Sequence, residues 1–193
     1  YQAAAEFGCY EIRNRATIGG NIVHASPGAE FGTPLFALNA DVEVIGKNGT
    51  KIMPIEEFWQ DVGTVKLDNE ILSAIIVDLD KNPKSSYHRI SRVEGMDLAV
   101  VNTALVKKED GQFRSYHGAV ARTPYRNKEI DKILENGNLT EQDFNKIQNI
   151  IDENVAPRAS SLRASPAYKR KMLVSLLKKC LRDIGEIGDG LND

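Results

Sequence analysis

Cysteine is scarce in this 193-residue chain, which contains only Cys9 and Cys180. The two lie far apart and form no C-x-x-C pair, so neither a cysteine zinc cage nor a disulfide framework is expected. A reducing cytoplasm fits this cysteine usage. The three histidines, His24, His88 and His117, share no metal-ligand spacing, and we therefore assign no metal site.

The chain also lacks an excess of charge and any long apolar run. Lys and Arg number 25 and Asp and Glu 27, so the formal net charge is only -2. Without a strongly basic surface, we expect no binding to nucleic acid or to an anionic membrane. No stretch approaches the roughly 18 consecutive apolar residues of a spanning helix, and no signal peptide is evident. The composition is that of a soluble globular protein, and any bound anion must be held by local groups.

An initiating methionine is missing too. The chain begins at Tyr1, and residues 2–9 are typical of the end of an alanine-rich helix that Gly8 stops. We therefore expect these residues to belong to a longer polypeptide or to a processed piece.

Two α+β units are predicted from the order of the patterns along the chain. In the first, Thr33 is expected to cap a short helix that has Pro34 at its first position. An Asn-Gly turn then joins two hairpin strands. The remaining predictions for this unit are hairpin strands at 42–45 and 50–53, a brief helix at 54–61 and a well-buried strand at 70–79.

The second unit is predicted to be a small antiparallel sheet followed by helices. The polar segment 80–86 breaks both the helical and the strand period and is the best candidate for a domain boundary. Three strands are predicted at about 86–93, 98–107 and 113–121. Three helices follow: one over 126–135, one capped by Thr140 with Asp143 three residues on, and one that begins at Ser165-Pro166.

The most informative segment is residues 12–30, which has neither a clean helical nor a clean strand period. It is rich in Gly, Asn, Ser and Pro, so we expect a long ordered loop, and such loops are often functional. Gly19 and Gly20 lack Cβ atoms, so the backbone there can adopt positive φ and bring consecutive N–H groups to a phosphate. Alternatively, the two glycines simply turn a tight corner.

Neighbouring polar groups favour a ligand at this segment. The Thr17 hydroxyl and the Asn21 amide suit phosphate or ribose oxygens, and the Glu30 carboxylate can accept hydrogen bonds from sugar hydroxyls. The pattern is neither a P-loop nor a G-x-G-x-x-G dinucleotide fingerprint. The residues alone therefore do not identify which phosphate compound is bound.

Three motifs, in this order, resemble the FAD-binding medium subunits of the molybdenum hydroxylases, the family of xanthine dehydrogenase and carbon monoxide dehydrogenase. They cover nearly the whole chain. The first is the run Ile12-Arg13-Asn14-Arg15-Ala16-Thr17-Ile18-Gly19-Gly20-Asn21-Ile22. The second is Tyr87-His88-Arg89-Ile90-Ser91-Arg92 with Asp97-Leu98-Ala99-Val100-Val101-Asn102, and the third is Arg163-Ala164-Ser165-Pro166-Ala167-Tyr168-Lys169-Arg170.

The resemblance implies a fold and a set of cofactor contacts. The implied fold is α+β: a second FAD-binding subdomain (PCMH-like, 1–82) with a mixed sheet and short helices, then a C-terminal domain (83–184) of a three-stranded antiparallel sheet and a helix bundle. Residues 185–193 are expected to be a disordered tail. By the same resemblance, the FAD contacts are Phe7, Thr17, Ile18, Gly19, Gly20, Asn21, Glu30, Leu72 and His88.

Three departures from the family pattern qualify this site. Glu30 stands where Asp is usual, which keeps the acceptor at longer reach, and His88 stands where Lys is common. The family's other FAD loop, in an N-terminal subdomain, is absent from this sequence. We therefore expect the isolated chain to bind FAD weakly or not at all.

The resemblance also implies partners. A molybdopterin-binding large subunit would oxidise a small substrate, an iron–sulfur small subunit would relay electrons to FAD, and NAD or another acceptor would receive them. No catalytic residue is assigned, because the cofactor carries the redox chemistry in such proteins. The alternatives are a non-catalytic assembly module that keeps the fold without FAD, and a separate phosphate-binding enzyme.

Two further features have open interpretations. The last predicted helix carries the cations Lys169, Arg170, Lys171, Lys178, Lys179 and Arg182. These could form a solvated face or a docking surface for a partner subunit. Cys9, close to the FAD segment, is expected to be a small packed residue rather than a redox-sensitive thiol.

Overall fold

The computed structural model describes residues 1–78, 83–93 and 97–188. Its helices are α1 (Gln2–Glu6), α2 (Tyr10–Arg13), α3 (Ile18–His24), α4 (Gly32–Ala37), α5 (Ile55–Phe58), α6 (Lys128–Glu135), α7 (Glu141–Asn154) and α8 (Pro166–Asp183). Its strands are β1 (Asp41–Gly46), β2 (Gly49–Pro54), β3 (Trp59–Asp61), β4 (Thr64–Val65), β5 (Ile71–Ile76), β6 (Lys84–Ile90), β7 (Val101–Lys107) and β8 (Phe113–Gly118). The predicted α+β class is confirmed.

The first unit contains an antiparallel sheet in the order β2-β1-β5. The β1-β2 hairpin is confirmed, with Gly46 opposite Gly49, whose φ of 104° suits glycine. The expected mixed sheet is instead antiparallel throughout its described pairs. The strand predicted as well buried, β5, lies at an edge of the sheet, and Ile71 is 72% exposed. The apolar residues of β5 therefore reflect a strand with one face packed against the protein, not a strand buried on both faces. The predicted end of this strand, residue 79, lies outside the described residues.

The helix after residue 30 begins slightly earlier than predicted, at Gly32 with Phe31 as the N-cap residue. Thr33 is therefore not the cap. Its hydroxyl is buried and donates a hydrogen bond to Asn102 Oδ1 on β7, 2.7 Å away. The Thr33 side chain, which the local sequence predicted as a helix cap, makes this tertiary hydrogen bond instead. Trp59, which was predicted to be helical, begins β3 after α5 ends at Phe58.

The second unit follows its prediction closely. The three strands form an antiparallel sheet in the order β6-β7-β8, and Gly111 turns the chain between β7 and β8 with φ of 86°. Thr140 and Asp143 form a complete capping box at the start of α7. Ser165 accepts a hydrogen bond from the Tyr168 N–H at the start of α8, where Pro166 is the first residue.

The β6-β7-β8 sheet lies between two apolar cores. Alternate residues of a strand point to opposite faces, so neighbours on β7 belong to different cores. Ala104 and Val106 join the core of the first unit, whereas Val101 and Leu105 join the core formed with α6, α7 and α8. The two predicted units thus share one sheet and pack against each other through it.

The cations of α8 are used largely within the fold. Lys169 donates to the Ala119 carbonyl at 2.9 Å and is only 6% exposed. Arg170 Nε lies 3.1 Å from Asp152 Oδ1 on α7. Lys178 Nζ lies 3.2 Å from Glu141 Oε1, which is also on α7. These three contacts fix α8 to its neighbours, which leaves less of the basic run for a partner subunit.

The proposed domain boundary at 82/83 lies beside residues 79–82, outside the described residues. Of the predicted tail, residues 185–188 are described, and Glu186 lies 2.7 Å from Lys107. Packed structure therefore extends beyond Gly185, while 189–193 lie outside the described part. None of the helices in the described ranges combines the length and apolar character that crossing a membrane requires.

Candidate FAD site

The segment predicted as a long loop contains two short helices instead. Residues Tyr10–Arg13 form α2 and Ile18–His24 form α3, and the two glycines lie in the first turn of α3. Neither Gly19 nor Gly20 has positive φ, so the expected nest of backbone N–H groups with left-handed glycines is wrong. The left-handed residue is Ala25, which ends α3 with φ of 47°.

The first turn of α3 presents backbone N–H groups in another way. The first four N–H groups of a helix have no acceptor within that helix. Thr17, the N-cap residue, accepts the Gly20 N–H with its hydroxyl at 2.9 Å. Ile18 is 47% exposed, so this end of the helix faces solvent. Helix N-termini with free N–H groups suit phosphate oxygens.

The two glycines leave room that larger residues would fill. A Cβ built on Gly19 would lie 3.8 Å from Leu72 Cδ2, so Leu72 on β5 lies directly against the first turn of α3. A Cβ on Gly20 would lie 3.0 Å from the Thr17 hydroxyl and would press on the cap. The structure thus brings Thr17, Gly19, Gly20 and Leu72 together at the first turn of α3.

Asn21 joins this turn to two aromatic residues. Its Oδ1 accepts a hydrogen bond from the Phe31 N–H at 3.4 Å. The Phe31 and Phe7 rings are 5.1 Å apart between centroids and tilted by 52°, a favourable aromatic pair. Phe7 follows the end of α1, so two chain segments on either side of α3 meet at these rings.

Glu30 is in different surroundings from those expected. It is 2% exposed, and its carboxylate is paired with the guanidinium of Arg89 on β6. Arg89 Nη1 also donates to the Asp97 carbonyl at 3.1 Å. Glu30 therefore already has a partner within the protein, and its contact with a sugar hydroxyl stays a prediction.

The side chain of His88 contacts α8. Its Nε2 lies 2.8 Å from Asp183 Oδ2 on α8, and Ser86 donates to the same oxygen at 2.6 Å. Burial tends to raise the pKa of Asp183, but the hydrogen bonds from Ser86 and His88 lower it below its ordinary value overall. The carboxylate therefore favours its ionised form. The predicted FAD contact of His88 is untested.

Two residues of this region were not predicted as site residues, Phe31 and Arg89. Phe31 directly follows Glu30, but no periodic pattern marks it, because its role depends on a ring from a distant segment. Arg89 lies within the resembling motif, yet its sequence position gives no sign that it reaches back to Glu30. Both are evident only from the tertiary contacts.

Family models match both units of this chain. The model described as FAD binding domain in molybdopterin dehydrogenase matches residues 1–78, and that of the CO dehydrogenase flavoprotein C-terminal domain matches residues 85–184. Together with the fold, these matches define an α+β flavoprotein class in which an FAD-binding domain precedes a dedicated C-terminal domain. The chain belongs to the flavoprotein family of the molybdenum hydroxylases, as its motifs predicted.

Curated relatives agree with this assignment. The chain is 30% identical to the xanthine dehydrogenase FAD-binding subunit of Escherichia coli O157:H7, over 94% of this chain and 64% of that protein. It is 25% identical to the nicotinate dehydrogenase FAD-subunit of Eubacterium barkeri, over 100% of this chain and 69% of that protein. The chain thus spans slightly less than two thirds of the xanthine dehydrogenase relative.

Solved structures share the fold. Carbon monoxide dehydrogenase from Hydrogenophaga pseudoflava, in a form that lacks the Mo-pyranopterin moiety of its molybdenum cofactor, has a TM-score of 0.84 and 25% identity, covering 94% of this chain and 65% of that one. Reconstituted CO dehydrogenase from Oligotropha carboxidovorans has a TM-score of 0.85 and 24% identity, over 96% and 67%. At that identity, the second likeness speaks for the fold alone.

Proposed function

We propose that this chain binds FAD at the first turn of α3, as part of the flavoprotein subunit of a molybdenum-hydroxylase-type oxidoreductase. The observation that carries the proposal is the position of Leu72 beside Gly19, in the first turn of α3, where Ile18 is exposed to solvent. This arrangement offers a diphosphate a backbone surface free of Cβ atoms, and it needs no Lys or Arg. The near-neutral charge of the chain is consistent with such a site.

Each predicted contact has a role in this proposal. The N–H groups of Ile18 and Gly19 and the Thr17 hydroxyl would hold phosphate oxygens, with Gly20 leaving space for them. The other predicted contacts are Asn21 and Glu30 for polar atoms of the cofactor, Phe7 and Leu72 for its apolar surface, and His88 at the position where the family commonly has Lys. FAD, when bound, supplies the electron-transfer chemistry, and the residues of this chain bind and orient it.

Membership of the family supports a proposal for the domains of this chain, the path of electrons and the location of the complex. We propose that residues 1–82 are the second FAD-binding subdomain and residues 83–184 the C-terminal domain. Electrons would reach FAD from the iron–sulfur small subunit, after substrate oxidation in the molybdopterin large subunit, and would leave to NAD or another acceptor. We place this complex in the cytoplasm, consistent with the low cysteine content.

One observation favours the alternative, a non-catalytic assembly module. Two of the predicted cofactor contacts are already engaged inside the protein, Glu30 with Arg89 and His88 with Asp183. A chain whose polar groups are satisfied in this way keeps its fold without a cofactor. The flavin content of the protein distinguishes the two functions.

The test is the flavin content of the intact gene product that contains these residues. We expect absorbance at the flavin bands in the purified protein, or its recovery on addition of FAD. Gly20→Val should abolish binding, because its side chain would displace the Thr17 cap and cover the N–H groups. The matched control is Gly188→Val, where an added Cβ meets no atom within 4 Å.

Two results would overturn the proposal. The first is an intact gene product that is folded, carries no flavin and takes up none. The second is a Gly20→Val protein that binds FAD as tightly as the unmodified one. A far-ultraviolet circular dichroism spectrum of each variant shows whether lost binding comes from unfolding instead.

A further inference from the structure

Arg89 connects three separate segments of the chain through a buried guanidinium. Its side chain is only 5% exposed and extends from β6 toward the first unit. It pairs with Glu30, lies 3.4 Å from Glu6 Oε2 through Nε, and donates to the Asp97 carbonyl through Nη1. A planar guanidinium with five N–H donors can serve several acceptors at fixed angles, which a lysine cannot do.

The two carboxylates that Arg89 holds each precede a residue of the candidate FAD site. Glu6 is followed by Phe7, and Glu30 is followed by Phe31, and the two rings form the aromatic pair described above. The backbone N–H of Phe31 in turn donates to Asn21 on α3. Arg89 therefore fixes, through its two partners, both chain segments that meet beside α3.

From these contacts we infer that Arg89 is a positioning residue of the FAD site, which sets the place of Phe7 and of the Glu30-Phe31 segment relative to α3. The inference rests on the proposed function, since it assumes that FAD binds there. Arg89 acts through Glu6 and Glu30 and is not itself assigned a contact with the cofactor. A strand of the second unit thereby shapes a site whose other members belong almost entirely to the first.

A second ion pair between the two units provides a matched control. Arg122 pairs with Asp61 through two hydrogen bonds of 2.5 and 2.6 Å, and it too joins the second unit to the first. Its side chain is 76% exposed, and its partner is distant in sequence from Phe7 and from α3. Arg122→Met removes an inter-unit ion pair without disturbing the Arg89 contacts.

The experiment measures FAD affinity and thermal unfolding of the intact gene product with Arg89→Met, Arg89→Lys and Arg122→Met. We expect Arg89→Met to raise the FAD dissociation constant about tenfold or more and to change the visible circular dichroism of bound flavin. Arg89→Lys should restore binding in part, because it keeps the charge but not the three-way contact. Arg122→Met should bind FAD as the unmodified protein does.

A pair of further variants separates positioning from stability. Arg89→Met leaves the Glu30 carboxylate buried and unpaired, which destabilises the fold. Glu30→Gln combined with Arg89→Met removes that charge, so the unfolding temperature should recover while FAD affinity stays low. Glu30→Gln alone keeps the Arg89 contacts to Glu6 and the Asp97 carbonyl, and it should bind FAD more tightly than the double variant.

The possible results distinguish the positioning role of Arg89 from FAD binding itself. If the unmodified protein binds FAD and Arg89→Met binds it equally well, the inference is wrong and the proposed function stands. If affinity returns together with thermal stability in the double variant, Arg89 is structural only and the inference is also wrong. If the folded, unmodified protein takes up no FAD, the proposed function fails and the positioning role fails with it.

Discussion

The hydroxyl of Thr33 on α4 donates a buried hydrogen bond of 2.7 Å to Asn102 Oδ1 on β7, and this bond crosses from one unit to the other. Gly118 lies opposite Asn102 in the sheet. A Cβ at Gly118 would come within 3.0 Å of both hydrogen-bonding oxygens. The absence of a side chain at one strand position is therefore what allows this contact between the units.

Gly118→Ala should consequently destabilise the protein strongly. The added methyl group collides with a buried pair that cannot move aside without losing its hydrogen bond, and we expect a loss of about 2–4 kcal/mol in the free energy of unfolding. Chemical denaturation followed by circular dichroism measures this change. Gly188→Ala, at an open position, should change stability by less than about 0.5 kcal/mol. Equal stabilities for the two variants would contradict close packing around Gly118.

His117 should make stability depend on pH. It is completely buried, and burial lowers its pKa from 6.5 to about 4, so the folded protein keeps the ring neutral. The unfolded chain binds a proton below about pH 6.5, whereas the folded protein does so only below about pH 4. Stability is therefore complete above pH 6.5 and falls by about 3 kcal/mol between those two values.

Denaturation midpoints between pH 7 and pH 4 test this expectation. His117→Gln should be less stable at pH 7, because the hydrogen bond between the ring and Thr103, 3.0 Å long, is altered. Its stability should vary less with pH than that of the unmodified protein. His24→Gln, at an exposed position, should leave the pH dependence unchanged. A steep pH dependence that survives in His117→Gln would assign the effect to another group.

Asp143 should also make stability depend on pH, in a lower pH range than His117 does. Hydrogen bonds from Thr140 and Lys146 lower its pKa from 3.8 to about 2, which favours the ionised carboxylate in the capping box. A lowered folded pKa contributes stability above about pH 3.8, and this contribution disappears as the pH falls toward 2. Asp143→Asn should therefore be less stable than the unmodified protein at pH 7, with the difference shrinking below pH 4.

The measurement is again the denaturation midpoint as a function of pH. Glu153→Gln, at the far end of α7, is the control and should not lose stability at pH 7 as Asp143→Asn does. A difference between Asp143→Asn and the unmodified protein that stays constant from pH 7 to pH 2 would mean that the charge of Asp143 is unimportant to the cap.

In the FAD segment, the conformation predicted for Gly19 and Gly20 is wrong. Gly19 and Gly20 suggested a loop with positive φ, because glycine is the residue that adopts such angles most readily. The structure instead places them in the first turn of α3, where a Cβ on Gly20 would press on the Thr17 cap at 3.0 Å, while a Cβ on Gly19 would make an ordinary contact with Leu72. Close packing and backbone freedom both select glycine, and the local sequence does not say which applies.

Features that depend on neighbours along the chain could be predicted from the amino-acid sequence. These are the hairpin closed at Gly49, the capping box of Thr140 and Asp143, the start of α8 at Ser165-Pro166, and the motifs that assign the family. The hairpin, the capping box and the start of α8 follow from interactions over a few residues, which the local order of side chains encodes directly.

Features that depend on distant segments became evident from the folded chain alone. Thr33 forms a hydrogen bond with Asn102 instead of capping its helix, and β5 lies at the edge of its sheet. Glu30 pairs with Arg89, which is 59 positions away in the sequence. A buried carboxylate or hydroxyl must find a partner wherever the fold supplies one, because leaving it unpaired costs more than the local preference it gives up. Which partner that is depends on how the shared sheet brings the two units together.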